Sequence, residues 1–403
     1  MTDLKSNLWK IYVYRFLSEF YLIVPILIPY YESNHLNSTQ IFTIQAAYAL
    51  SVLLLEVPSG YLADVIGRKK TLILGAFFLP VGIAVYAFTS SFYTFILAEF
   101  IVAVGNSMRS GCDSAFIYDT LIQLKEESEY KKFEGRTMFY TRIGTGLSSV
   151  AGGLFALLSL HLPFYINIGT SVLMLPLAIS LIEPKRKKLE ALNPLTNILR
   201  IFWFSLTHGQ LRRLMLYAAL LMSTGIIGVW AYFLYYGSLG ISIGYFGIIF
   251  AAFQLSSAFG SRSAHSIEKA LGKKLSYLIL MLIAPTFLLL GLFNTILLLP
   301  LIFFNAFLWG IAFPIILDDI NRLIKSEVRA TIISVAHMVG SLSYVILAPL
   351  FGKLVDTYSL STAFLLMGVY FIIYGSLVLG LILRHFQKSE KQRTTDIPVT
   401  PMD

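Results

Sequence analysis

The sequence predicts an all-α membrane protein, with twelve transmembrane helices in two pseudo-symmetric six-helix bundles. Three observations predict it. The 403 residues are 57% hydrophobic and only 13% charged, against about 25% charged in a soluble domain. The apolar residues fall into twelve runs, each close to the ~20 residues that a spanning helix requires. The basic residues collect in alternate connections between those runs. This composition excludes a disordered chain, a nucleic-acid-binding domain and an ordinary cytosolic enzyme.

The runs lie, in order, at 8–31, 40–63, 71–89, 93–118, 137–159, 163–183, 213–236, 243–261, 274–292, 295–317, 330–351 and 361–383. Only Phe293-Asn294-Thr295 separates the ninth from the tenth. Together they exceed one helix, so a tight hairpin is expected there. No cleavable signal peptide is expected, because Asp3 lies at the N-terminus and the first run is too long for a signal core.

The chain carries 31 Lys and Arg against 22 Asp and Glu, a formal charge of +9. All but four of the 31 fall on one side: the N-terminus, the 2–3, 4–5, central, 8–9 and 10–11 connections and the tail. Arg15, Arg109 and Arg142 lie within spans, and Lys353 at an outer end. By the positive-inside rule both termini are cytoplasmic. The excess then records topology and implies no nucleic-acid partner. The single cysteine, Cys112, excludes an internal disulfide and a cysteine metal cluster, and reads as a packed thiol.

The longest polar interruption starts at Glu183-Pro184-Lys185-Arg186-Lys187-Lys188. It divides the chain into an N-terminal bundle (1–184), a cytoplasmic linker (185–212), a C-terminal bundle (213–384) and a cytoplasmic tail (385–403). Residues 195–204 are amphipathic and aromatic and read as an interfacial helix, with an irregular linker as the alternative. The bundles look like a degenerate repeat. Gly67-Arg68-Lys69 recurs as Gly272-Lys273-Lys274, Asp119 as Asp319, and Arg136-Thr137 as Arg329-Ala330-Thr331, at offsets of about 200 residues. Repeated membrane halves with a site at their interface suit alternating access.

Residues 60–70 read Gly-Tyr-Leu-Ala-Asp-Val-Ile-Gly-Arg-Lys-Lys. They resemble the major facilitator superfamily signature in the 2–3 loop, G-x-L-x-D-x-x-G-R-K, at each fixed position. Gly60 is expected to permit close helix approach and Gly67 a tight turn. Asp64 and Arg68, four apart, can pair. The resemblance implies that both form a gating charge cluster with an acid at the inner end of span 4, here Asp119. It also implies that this cluster latches the outward-facing state. For Arg68, Lys69 and Lys70 plain positive-inside topology is the alternative reading. Span 5 carries Gly144, Gly152 and Gly153, part of the family's antiporter pattern, but Ser148-Ser149 stands where Gly-Pro is expected. In span 4, Glu99 stands near the place where drug-exporting members carry an arginine.

Charges inside spans are costly and mark functional hypotheses. Span 1 carries Arg15 and Glu19; span 2, Glu56; span 4, Glu99, Arg109 and Asp113; span 5, Arg142. At about 100° per residue, Asn106 lies about 20° from Glu99, Asp113 about 40° and Arg109 about 80°. One polar stripe is therefore expected along span 4. By the resemblance, spans 1, 4, 7 and 10 line the central cavity, with Arg15 and Glu19 facing that stripe. Two readings stay open. In one, Glu19 with Glu99 or Asp113 exchanges protons or binds a cationic substrate group, and Arg15 and Arg109 tune them. In the other, Arg15–Glu19 and Arg109–Asp113 are pairs that only hold helices. Arg142 is expected to partner a carboxylate on span 4 or 1, and Glu56 to be a gate or structural residue. The C-terminal half offers Trp230, Asn305, Trp309 and His337, together with Tyr235, Tyr236, Gln254 and Tyr344. An aromatic wall opposite an acidic one suits an amphipathic organic cation, although aromatic residues also favour membrane interfaces.

There is no Walker A sequence and no His-Glu-x-x-His or cysteine pair. No catalytic residue, cofactor or metal is expected. The 125–136 stretch and the tail from Arg384 read as solvated, and the span glycines Gly105 and Gly111 as packing residues. The resemblance implies a monomeric, non-enzymatic secondary transporter in a bacterial inner membrane. It would move a small organic solute, coupled to protons. Export of a drug-like or amphipathic compound is the first reading, and permeation of a metabolite, nutrient or siderophore the second. A non-transporting receptor or scaffold on the same fold is the alternative from another class.

Overall fold

The computed structural model describes residues 2–185, 207–323 and 329–395; the interfacial helix expected at 195–204 lies outside them. The described residues form helices and turns and no strand. In order they are α1 (Thr2–Ser18), α2 (Leu27–Ser33), α3 (Ser38–Ile66), α4 (Arg68–Phe88), α5 (Phe92–Arg109), α6 (Cys112–Leu124), α7 (Tyr130–Ala156), α8 (Leu162–Val172), α9 (Met174–Ser180), α10 (Gly209–Ser238), α11 (Gly244–Ile279), α12 (Ile283–Leu292), α13 (Leu299–Arg322), α14 (Arg329–Thr357) and α15 (Leu360–Thr395).

Eight helical stretches among the described residues are long and apolar enough to cross a membrane. The first and fourth expected runs do not qualify, because each is broken. The first splits into α1, a 3-10 turn (Val24–Ile26) and α2; the fourth splits into α5 and α6. The fifth, α7, carries Lys131, Lys132, Glu134, Arg136 and Arg142. The eighth and ninth belong to one stretch, Gly244–Leu292, which turns at Gly272 (φ 74°, ψ 162°). Gly67, between α3 and α4, has φ 107° and ψ 148°. Both lie in the region that favours glycine, so the two repeat-related turns share one backbone solution.

Local sequence explains the ends. Asn37 and Gln40 form a reciprocal capping box at the start of α3, and Ser91 and Thr94 one at the start of α5. The Glu183 carboxylate accepts from the backbone N–H groups of Arg68 (2.9 Å) and Lys69 (2.6 Å), capping α4. Phe293-Asn294-Thr295 joins α12 to a 3-10 turn, Ile296–Leu298, as expected of a tight connection.

The chain forms two compact units: Met1–Leu195 with Val229–Gln254 and Val345–Thr357, and Thr196–Gly228 with Leu255–Tyr344 and Tyr358–Asp403. In the first unit, α4 and α5 pack backbone to backbone; a Cβ at Gly75 would lie 3.0 Å from the Gly105 carbonyl. Small residues allow this approach. Tyr30, Tyr31, Tyr86, Phe95 and Phe164 form its buried aromatic core, with Tyr30 and Phe164 ring centroids 4.2 Å apart. The first unit also holds the ends of α10, α11 and α14 that lie against the N-terminal helices. Asp356 of α14 accepts from the N–H groups of Ser38 (2.9 Å) and Thr39 (2.7 Å) and from the Thr39 hydroxyl (2.5 Å). A Cβ at Gly153 of α7 would lie 2.9 Å from the carbonyl of Gly244.

In the second unit, a Cβ at Gly260 or Gly310 would collide with facing backbone at Phe307 or Ser257, so α11 and α13 pack tightly. Outside both cores, large apolar side chains are bare: Leu158 is 78% exposed and Leu297 80%. A hydrocarbon solvent removes that cost.

Gly60 departs from the expectation of close packing. A Cβ placed there meets nothing within 4 Å. Gly111 departs too: it has φ 73° and open space around its Cα, and it breaks span 4 rather than packing it.

Candidate functional site

Two helix breaks build the site. α1 stops at Ser18 and leaves backbone groups without helical partners. The Asn167 side chain of α8 supplies them, accepting from Leu22 N–H (3.1 Å) and donating to the Phe20 carbonyl (3.2 Å). Irregular backbone at membrane depth survives only with such partners. Glu19 is the first residue beyond α1, and Arg109 is the last residue of α5. Arg109 Nη2 donates to Glu19 Oε1 at 2.7 Å. Beside them Tyr21 donates to Asn106 Oδ1 (3.1 Å) and Asn106 Nδ2 to Tyr48 (3.0 Å).

The break at Gly111 re-aims Asp113. The stripe calculated through an unbroken span 4 therefore fails for this residue. Asp113 leaves the Arg109 group and meets Arg15, whose Nε lies 2.7 Å from Asp113 Oδ2. Arg15 Nη1 lies 2.9 Å from Glu134 Oε1, and Nη2 donates to Ser114 Oγ at 2.5 Å. Ser114 donates in turn to Glu134 (3.0 Å). The same-span pairs, Arg15–Glu19 and Arg109–Asp113, are replaced by cross-helix pairs: Arg15–Asp113 and Arg109–Glu19. Four-residue spacing favours pairing only on continuous helix, and both helices are interrupted. Glu134 belongs to the 125–136 stretch expected to be solvated, but its side chain is only 23% exposed.

Glu99 forms a third, separate group. It is buried. Gln45 Nε2 donates to Glu99 Oε1 at 3.1 Å, and the Tyr31 hydroxyl approaches it at 3.5 Å. Tyr31 and Tyr86 hydroxyls are 2.7 Å apart. Glu99 and Asn106 both face α3, as their angular spacing predicts, since Gln45 and Tyr48 are its residues. No ion pair of Glu99 occurs among the described residues. Gln45, Tyr21, Tyr31, Tyr48 and Tyr86 were not legible as site residues. Uncharged polar residues in an apolar run carry no pattern that separates a site from a satisfied core.

Of the residues in the signature, Arg68 meets Asp119. Arg68 Nη1 lies 2.6 Å from Asp119 Oδ2 and also donates to the Ala115 carbonyl. The buried Cys112 thiol donates to the Arg68 carbonyl (3.4 Å), as a packed cysteine would. Asp64 sits on α3 one turn before Gly67. The second unit repeats the arrangement: Lys273 pairs with Asp319, which also accepts from the Tyr277 hydroxyl at 2.6 Å.

The remaining candidates diverge. Trp309 Nε1 donates to the Leu221 carbonyl at 2.9 Å. With Phe313, Met222 and His337 it lines a small apolar cavity in the second unit. Asn305 is buried and donates to Thr286 (2.8 Å), a helix–helix contact outside that cavity. Trp230 lies tilted against Phe233, with ring centroids 6.2 Å apart. Arg142 and Glu56 are exposed. The carboxylate partner expected for Arg142 does not occur among the described residues; its side chain is exposed.

Comparison with known proteins agrees with this architecture. The chain is 22% identical over 168 residues to an uncharacterised MFS-type transporter of Methanocaldococcus jannaschii, covering 41% of this chain and 42% of that one. It is 24% identical over 166 residues to the quinolone resistance protein NorA of Staphylococcus aureus, with the same coverage. The matched segments span about two fifths of these relatives' length. Among solved structures, the nucleoside transporter NupG in mutant form superposes with a TM-score of 0.80 at 16% identity, over 94% of this chain and 99% of that one. A bacterial homologue of the lysosomal transporter Spinster superposes with a TM-score of 0.71 at 15% identity, over 95% and 98%. At these identities the likeness is one of fold. The model of the Major Facilitator Superfamily matches residues 11–348, and the chain belongs to that superfamily.

Proposed function

We propose that this protein is a proton-coupled secondary transporter that moves a small organic solute by alternating access. In this reading twelve spans form two bundles, 1–184 and 213–384, joined by a cytoplasmic linker, with both termini inside. The two charge latches, Arg68–Asp119 and Lys273–Asp319, then occupy equivalent inner corners. Asp356 and Ser38 join helix ends on the outer face.

The observation that carries proton coupling is the environment of Glu99. An ionised carboxylate in a low-dielectric interior needs a cation, whereas a protonated one does not. Glu19 and Asp113 each hold an arginine, but Glu99 holds only neutral donors among the described residues. Glu99 therefore takes up and releases the coupled proton. Glu19, still 31% exposed, receives the substrate's cationic group by exchanging it for Arg109. Export of amphipathic organic cations is the preferred substrate reading. The partial likeness to NorA supports it. So does the neutralisation of Arg15 and Arg109 by carboxylates, which leaves neither to hold an anionic substrate.

Flux tests this reading. Proteoliposomes are loaded with a fluorescent amphipathic cation and given an imposed pH gradient. Wild type is expected to drive efflux with the gradient, and Glu99→Gln to bind the cation but ignore the gradient. Gradient-driven flux retained in Glu99→Gln removes Glu99 from coupling. No flux of any cation, nucleoside or sugar in wild type favours the scaffold reading.

A further inference from the structure

We infer that the second unit carries a binding site for a phosphate-bearing anion, built around Arg213. The site is a partly open cavity lined by Gln210, Arg213, Lys273, Asp319 and Arg322, with Leu323 and Ile382 closing its apolar side. Three cationic side chains from α10, α11 and α13 reach one space. Lys273 and Arg322 are matched by Asp319 and Asp318. Arg213 has no matching acid among the described residues, and its Nε is buried without a hydrogen-bond partner. A buried guanidinium N–H without an acceptor is costly. A planar fork of such donors fits phosphate oxygens.

The first unit serves as an internal comparison. At its corresponding corner the neutral Asn7 lies 3.5 Å from Thr120, the residue that follows Asp119. It donates to the Ile182 carbonyl (2.8 Å) and accepts from the Ile182 N–H (2.9 Å). That corner is closed by its own hydrogen bonds. The second corner has the same latch but an arginine and a cavity in place of this closure. The difference assigns the extra charge to a ligand rather than to the fold.

The site also touches the latch. Lys273 lines the cavity while pairing with Asp319. An anion on Arg213 competes for Lys273, and Asp319 keeps the Tyr277 hydroxyl as partner. Occupancy therefore weakens the Lys273–Asp319 pair. The same chemistry has two sources: the phosphodiester of an anionic lipid headgroup, which basic pockets between helices recognise, and a free phosphate.

Binding is measured on the purified full-length protein in detergent, by native mass spectrometry and thermal shift. The probes are dihexanoyl phosphatidylglycerol, inorganic phosphate and, as neutral control, dihexanoyl phosphatidylcholine. One phosphatidylglycerol or one phosphate is expected to bind. Arg213→Gln is expected to weaken it about tenfold, the worth of one charge-assisted hydrogen bond, and Arg213→Lys less. Preference for phosphatidylglycerol identifies a lipid site; equal or tighter binding of phosphate identifies a free-anion site. Should Arg213→Gln misfold, Gln210→Glu places a like charge in the cavity and is expected to weaken binding comparably. Binding absent, unaffected by these variants, or equalled by phosphatidylcholine overturns the inference. None of these outcomes depends on transport.

Discussion

Glu19 and Arg109 meet at 2.7 Å at the point where both of their helices end. Arg109 sits at the C-terminus of α5, where the helix dipole favours a cation; Glu19 follows the C-terminus of α1, where it disfavours an anion. The pair corrects at Glu19 what the dipole penalises. Neither residue is fully enclosed, with side chains 31% and 17% exposed.

Breaking this pair from one side leaves a charge uncompensated. Glu19→Gln is expected to lower stability by about 3 kcal/mol, and Arg109→Gln by less, since Glu19 is the more exposed partner. The double Gln variant is expected to be more stable than Glu19→Gln alone. Thermal unfolding in detergent checks the order; additive losses would show that the pair contributes nothing.

Asn167 holds the α1 break through two backbone contacts. Asn167→Ala is expected to cost about 1–3 kcal/mol, the price of unmade buried hydrogen bonds. Hydrogen exchange is expected to rise at Phe20–Leu22 before it rises in α3. Uniform exchange across both segments would count against a local role.

Two glycines are expected to respond in opposite directions. Gly111→Ala places a side chain at φ 73° and is expected to cost about 1–2 kcal/mol. Gly60→Ala lies in open helix and is expected to stabilise by about 0.5–1 kcal/mol. A loss of transport in Gly60→Ala without a loss of stability would show that its close approach belongs to another conformation.

The ion pairs Arg68–Asp119 and Lys273–Asp319 differ in which partner is buried. Asp319 is 4% exposed and Lys273 36%, whereas Asp119 and Arg68 are alike at 14% and 17%. Lys273→Gln is therefore expected to destabilise more than Asp319→Asn, because the stranded aspartate cannot reach water. Arg68→Gln and Asp119→Asn are expected to cost similar amounts. Melting temperatures of the four variants decide it.

The sequence by itself determined the membrane-protein class, the family and the Arg68–Asp119 pair. Each rests on signals that survive without neighbours: an apolar run long enough for a bilayer, a signature in which Gly67 must turn, and an acid placed opposite an arginine. It also placed Glu99 and Asn106 on one face, because the helix between them is unbroken. The tertiary structure decided the pairing of charges. Arg15 chose Asp113 and Arg109 chose Glu19 because Ser18 and Gly111 end helical periodicity, and beyond a break angular spacing carries no information. It also decided that Glu134 joins the part-buried network of Arg15 and Ser114, and that Glu99 meets only neutral partners among the described residues. Burial and partnership arise between helices far apart in sequence, and no spacing within one helix encodes them.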